Sequence, residues 1–336
     1  MTATTPAGGR LGRTSTAGID ALRGLRRDTW TLALVGLFIG LLAVARLTAP
    51  GYGATELTSL AIGSLPIAFA AVAQTIVVIS GGIDLSIGAL MALTSVVAAT
   101  QMKDASPEFA VVVVIGVLVL GALLGMINGL LIVVSRVPDI VVTLAMSYVW
   151  AGVALLVLNT PGGGAADWLQ AMISGSLIVP FLPKALVVLL ICVGLVWLPL
   201  RRSRLGLSLY ALGSSPLAAF RAGVEVRQTK VAAYALTGLF SAAGGLTLTA
   251  STGIGSPIPG PYTLLAVAAA VLGGVSLAGG RGGIIGPIVA VFILSLVRTD
   301  LTFIGVDPNL STVVQGVIMV GVVMLGAFVT LRRRRS

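Results

Sequence analysis

Apolar residues run along this chain in long, nearly unbroken stretches, not at the three-to-four-residue spacing of a helix lying on a soluble surface. Ten stretches stand out, at 30–48, 61–80, 84–100, 110–134, 140–159, 182–199, 231–250, 262–278, 284–298 and 312–331. Most are close to the ~20 residues that cross a hydrocarbon core of ~30 Å. The pattern predicts an all-α integral membrane protein of about ten transmembrane helices, with its membrane domain over 30–331. The segments 262–278 and 284–298 are short and broken by glycine, as discontinuous or re-entrant helices are. Eight crossings are the alternative if that pair turns back.

Polar positions cluster between these stretches. With the N-terminus inside, the cytoplasmic Lys and Arg are Arg10, Arg13, Arg23, Arg26 and Arg27, then Arg136, six residues between Arg201 and Lys230, Arg281, and Arg332 to Arg335. Only Arg46, Lys103, Lys184 and Arg298 fall near exterior loops or span ends. This asymmetry is the positive-inside pattern. Basic segments at both ends require an even number of crossings. The expected organisation is a basic cytoplasmic tail at 1–29, the membrane domain with a cytoplasmic loop at 200–230, and a basic cytoplasmic C-terminus at 332–336. The stretch from Trp30 to Leu47 is full span length, so it is expected to be a retained anchor and not a cleaved leader.

Composition narrows the chemistry. Only 10% of the 336 residues are charged, against roughly 25% in a soluble domain. The net charge of +10 then points to an anionic membrane leaflet and not to nucleic acid. The absence of histidine removes Ser-His-Asp catalysis and most zinc and haem chemistry, and the single Cys192 cannot form an internal disulfide. No GxxxxGK[ST] phosphate loop occurs, so this chain is not expected to hydrolyse ATP. We expect no catalytic centre, no metal and no cofactor in it. Glycine, at 43 residues, suits close helix packing in a membrane.

Three polar or glycine-rich interruptions carry the remaining signal. In SGGIDLSIG the paired Gly81 and Gly82 precede Asp84, Ser86 and Gly88, placing an acid at or inside the membrane boundary. The simplest role for Asp84 is to cap the following helix, with solute binding or gating as alternatives. A related pattern recurs as Gly273-Gly274-Val275-Ser276-Leu277, followed by Gly279, Gly280, Arg281 and Gly282, which hints at an internal duplication. Arg281 is expected as an interfacial charge and Asp139, after Pro138, as a helix cap. Between spans six and seven, Ser215 and Pro216 start a short amphipathic helix through Leu217, Ala218, Phe220 and Ala222, which Gly223 ends. That helix could dock a soluble partner or lie at the interface as a connector. Outside, the Thr160–Pro183 loop and the proline-rich SPIPGPY at 256–262 either border a path or link helices.

These segments together resemble the permease subunits of bacterial ABC importers for ribose, xylose, galactose and related monosaccharides. SGGIDLSIGALMAL at 80–93 is similar to that family's signature, and VTLAM at 142–146, followed by Gly152, agrees with it. LGLSLYALGSSPLAAFRAGV resembles the family's LGRxxYAxGGNxxAAxxSGI segment, and AVLGGVSLAGGRGGIIGPIVA at 270–290 its late glycine-rich segment. The resemblance spans essentially the whole chain. It implies the architecture of ribose and vitamin B12 importers in a bacterial inner membrane, with both termini cytoplasmic. Implied partners are cytoplasmic ABC ATPase subunits that bind ATP and Mg, an extracytoplasmic sugar-binding protein, a second copy of the chain or a related permease, and a small-molecule sugar. By the same resemblance, Gly213, Ser215, Pro216, Ala218, Ala219 and Gly223 belong to the segment that couples to the ATPase. Gly81, Gly82, Asp84, Ser86 and Gly88 would be structural or pathway residues. The chain departs from the pattern at Ser215, where the family has asparagine, and at Ala222, where it has serine. The competing expectations are a permease for a nucleoside, cyclitol or other small polar solute, a solitary secondary transporter, and a non-transporting scaffold.

Overall fold

A computed structural model of the chain describes residues 29–49, 51–177, 181–307 and parts of 309–324. The expected basic tail (apart from Thr29), the C-terminal 332–336 and most of the 312–331 span lie outside the described residues. Among the described residues, twelve helices precede a short helical stretch at Asn309–Ile318: α1 (Thr29–Thr48), α2 (Ala54–Ile79), α3 (Ile87–Met102), α4 (Pro107–Ser135), α5 (Asp139–Val157), α6 (Asp167–Ile173), α7 (Lys184–Arg202), α8 (Arg204–Ser214), α9 (Pro216–Arg221), α10 (Val226–Thr252), α11 (Tyr262–Leu272) and α12 (Ile285–Phe303). Among the described residues, strand pairing is confined to two isolated bridges.

Among the described residues, seven helices, α1, α2, α4, α5, α7, α10 and α12, are long and apolar enough to cross a membrane. Three shorter apolar helices accompany them: α3, α11 and Asn309–Ile318. Of the about ten full-length spans expected, seven are thus found among the described residues, and most of the last, 312–331, lies outside them. At the other two the reason lies in the glycine-rich stretches. The span expected at 262–278 is helical only to Leu272, and residues 273–284 form an irregular turn. The span expected from 84 begins only at Ile87. Conversely, the expected 200–230 loop is mostly helical, since α8 and α9 lie within it and α10 starts at Val226.

The bundle is built around α2 and α10, whose apolar windows are 83% and 61% buried, while α1, α5 and α7 are only 11%, 17% and 22% buried. Their outward Leu and Val side chains, such as Leu47, Leu156 and Leu195, face the surroundings of the chain. Lipid tails are as apolar as leucine, so close packing and not water exclusion must hold such a bundle together. The α4–α10 seam shows how. Gly125 lies so close to α10 that a Cβ there would fall inside the carbonyl oxygen of Tyr234 and within 2.9 Å of Gly238. Only glycine lets the two backbones approach this far.

Candidate functional site

The centre of interest is the end of the bundle that carries Arg201–Lys230, called the basic end below. Helix α2 ends there at Ile79, and Gly81 follows with a left-handed φ of +84°. Its N–H donates to Val78 O at 2.9 Å and that of Gly82 donates to Val77 O at 2.9 Å, satisfying the last carbonyls of the helix. Helix α11 ends in the same way, at Gly274 with φ +85°, through Gly274 N to Val271 O and Val275 N to Ala270 O. The two Gly-Gly stretches are therefore the same device. The equivalent positions are Gly81 and Gly274, one residue out of the register suggested by the sequence pattern. Gly273 packs against Gly286 and Pro287 of α12.

The end of α8 joins these two turns. Gly213, near the end of α8, is wedged so tightly that a Cβ would overlap Ile79 O and stand 2.6 Å from Gly280 N. Gly280 N in turn donates to Ile79 O at 2.9 Å. A Cβ on Gly279 would meet Gly81 Cα at 2.9 Å, and Tyr210 Oη of α8 donates to Gly282 O at 2.8 Å. Burial raises the Tyr210 phenol above its usual value, so it keeps its proton for that bond. Three segments far apart in the chain thus meet at one backbone junction. Arg281 stays exposed beside it, with its carbonyl accepting from Ser276 N.

Beyond the junction the chain bends at Ser215. The Ser215 side chain accepts from Ala218 N at 3.3 Å and Pro216 takes the first turn, so α9 starts as the sequence predicts. Gly223, at φ +83°, ends it, with Gly223 N donating to Phe220 O and Val224 N to Ala219 O. The amphipathic reading needs correction, because only Ala219 is buried while Leu217 and Phe220 are 61% and 68% exposed. The apolar side chains of α9 project away from the body of this chain.

A polar network lies beside the junction. Asp84 is fully buried, and its Oδ1 accepts from Ser86 N at 2.8 Å and Ser86 Oγ at 2.6 Å. Asn128 of α4 donates to Ser86 Oγ at 2.8 Å and accepts from Trp150 Nε1 of α5 at 3.1 Å. Asp84 is therefore not a helix cap. Ser86 holds the cap position of α3 without a side-chain bond, and Asp84 closes a local turn before it. Its Oδ2 finds no partner among the described residues. Gly88 N donates to Thr263 Oγ1 at 2.9 Å, tying α3 to the start of α11.

Asp139 also departs from the capping role. Its Oδ1 pairs with Lys230 Nζ at 2.6 Å, and its Oδ2 accepts from Tyr234 Oη at 2.8 Å. Both partners are on α10. Gly82 sits against the same groups, since a Cβ there would meet Asp139 Oδ2 at 2.6 Å and Tyr234 Oη at 2.8 Å. Thr143 of α5 ties the loop further, receiving Leu85 N at 3.1 Å and donating to Ile83 O at 3.3 Å. A groove of about 390 Å³ at this corner is lined by Arg136, Asp139, Arg227 and Lys230 among others. Sequence reasoning left Asn128, Trp150, Lys230 and Tyr234 unassigned. The one available signal was an asparagine within the otherwise apolar run of α4.

Residues 56–323 match the family model described as "Branched-chain amino acid transport system / permease component". The chain is 33% identical over 275 residues to the Autoinducer 2 import system permease protein LsrD of Escherichia coli (strain K12), an alignment covering 80% of this chain and 82% of that relative. The proteins of the same name from Shigella flexneri and Escherichia coli O157:H7 align to the same extent. No solved structure matches it.

Proposed function

This chain belongs to that family of ABC-importer permease components, and we propose that it forms the membrane path of an ATP-driven importer for a small monosaccharide-like solute. It is a permease and not a catalyst; ATP and Mg would be bound by partner ATPase subunits at the basic end, taken here as cytoplasmic. A solute-binding protein would deliver cargo at the opposite end, and a second copy or a related permease would complete the path. Ten crossings are proposed, made by the seven long helices and the three shorter ones. The sugar reading rests on the signature at 80–93 and on relatives named for autoinducer 2 import, while the family description names branched-chain amino acids.

The observation that carries the coupling reading is the seating of the α8–α9 elbow. A partner that pushes the exposed tip of α9 moves Gly213, and Gly213 is packed without clearance against both glycine turns. Close-packed contacts transmit displacement instead of absorbing it. The turn at 80–86 is also held to α5 through Thr143 and to α10 through Tyr234, whose Oη lies 3.4 Å from Ile83 O, so the motion has two routes inward.

Gentle detergent extraction with mass spectrometry of co-purifying subunits tests the assembly. An ATPase and a solute-binding protein are expected with the wild-type chain. Reproducible isolation of the chain alone, under conditions that keep a reference importer intact, would move it to the solitary-transporter or scaffold class.

A further inference from the structure

The connection between α10 and α11 does not stay at the surface. Gly255 exchanges backbone bonds with Gly162, at 2.8 and 3.0 Å, at the end opposite the basic one. It also packs on α3, where a Cβ would meet Ala99 Cβ at 2.8 Å and Val96 Cα at 3.0 Å. Five residues later the chain is at the other end of α3, since a Cβ on Gly88 would meet Gly260 O at 3.3 Å and Thr263 Oγ1 at 3.0 Å. From Gly88 to the Ser95–Ala99 turn that Gly255 touches, a helix rises about 11–16 Å, and the five steps from Gly255 to Gly260 span it without helical winding, with a bend at Ile258. The segment 255–260 is thus a non-helical stretch of chain running down α3 at membrane depth. It replaces the missing half of the short helix α11.

Such backbone is costly in a membrane unless protein covers it or it lines water. Pro257, Pro259 and Pro261 lower the cost by removing three N–H donors. Other backbone groups remain. Among the described residues, the carbonyls of Ser256, Pro257, Ile258, Pro259 and Gly260 accept no hydrogen bond, and the N–H groups of Ser256, Ile258 and Gly260 donate none. This chain covers the strip only in part: Pro257 is buried and Ser256 and Gly260 are half-buried, while Ile258 is 68% exposed and Pro259 and Pro261 are also exposed.

We propose that the Ser256–Gly260 strip lines the solute path, and that its unpaired backbone groups exchange hydrogen bonds with the hydroxyls of a polyhydroxylated solute. Neutral acceptors and donors side by side suit a ligand whose O–H groups both donate and accept and which carries no charge. They suit a branched-chain amino acid less well, because its carboxylate and ammonium need counter-charges and the residues of the strip carry none. This inference deepens the permease reading and rests on it.

Cysteine accessibility tests the strip in the full-length protein in membranes, after Cys192→Ala removes the single native thiol. Ile258→Cys is expected to react with the charged reagent methanethiosulfonate ethylsulfonate roughly tenfold faster than Leu156→Cys on the outer face of α5, because lipid excludes the reagent. D-ribose, D-xylose or D-galactose is expected to slow labelling of Ile258→Cys, and L-leucine at equal concentration is not. A reaction rate no faster than that of Leu156→Cys would overturn the inference. So would protection by L-leucine alone, or an Ile258→Cys dimer that forms a disulfide and excludes the reagent, which assigns the strip to a subunit contact. Ser256→Cys supplies a second position if Ile258→Cys is not recovered as a monodisperse protein. Labelling needs no flux, so a reactive Ile258→Cys in a chain without uptake would count against the permease reading and leave the water-lined strip standing.

Discussion

Single residues at the junction differ in what they tolerate. Gly213→Ala places a methyl group inside the Ile79 carbonyl and against Gly280 N, with backbone on both sides and no side chain able to give way. We expect a loss of about 1–3 kcal/mol in detergent stability, the usual cost of overpacking, with loss of the coupled state. Gly223→Ala meets nothing within 4 Å, so only its φ of +83° opposes it, at about 1–2 kcal/mol. Gly152→Ala, with open space and helical φ, is expected to stay within about 0.5 kcal/mol. Thermal unfolding of the three purified variants checks the order, and equal midpoints for all three would remove the packed junction from the account. The Asp139–Lys230 pair makes a sharper case. Lys230→Met leaves a mostly buried carboxylate without its cation, costing about 1–3 kcal/mol after allowing for side chains that are 28% and 13% exposed. Adding Asp139→Leu is expected to recover part of that loss. If the two changes simply add, the pair carries no coupling.

At the scale of elements, Leu217 and Phe220 separate folding from docking. They sit on a helix of six residues that is capped at both ends by its own chain, so its shape does not depend on a partner. Leu217→Glu and Phe220→Glu are expected to leave the unfolding midpoint of the isolated chain unchanged and to reduce ATPase capture by at least about tenfold, as loss of an interface anchor does. Undiminished capture would place the ATPase contact elsewhere. Gly213 and Ala219, in the same segment, are poor probes of docking because both are buried. This contrast also marks where sequence reading stopped. The start and end of α9 were legible, since Ser215-Pro216 and Gly223 act through bonds to their near neighbours. The partners of Asp139 were not, because Lys230 and Tyr234 lie 91 and 95 residues away. A capping role is the simplest local reading of both acids; distant side chains displaced it at Asp139, while the Asp84 carboxylate bonds Ser86 two residues on. The helix lengths failed for a related reason. Hydropathy registers an apolar run but not the left-handed turn at Gly274 that ends the helix inside it.

At the scale of the whole molecule, the backbone junction constrains how the chain threads the membrane, whichever way it is inserted. Gly81, Gly213 and Gly280 touch, so the turn after α2, the elbow after α8 and the turn after α11 all lie at one end. Gly162 and Gly255 bond to each other, and Gly255 packs alongside the last turns of α3, so the loops after α5 and α10 share the opposite end. The short α11, only about 16 Å long, must then belong to a segment that returns the chain to the basic end, with the non-helical strip before it making up the distance. This argues for a complete crossing at 255–272 and against a re-entrant loop. It can be measured with single cysteines in the Cys192→Ala background and an impermeant thiol reagent on intact cells. Asp104→Cys and Thr160→Cys are expected to label from outside. Phe220→Cys and Arg281→Cys are expected to label only after the membrane is opened, as the positive-inside pattern requires of the end that carries most of the arginines. Complete reversal of the four would invert the orientation and leave the threading intact. Labelling of Arg281→Cys from the side opposite Phe220→Cys would break the junction itself, and with it the route by which the α9 tip reaches the membrane turns.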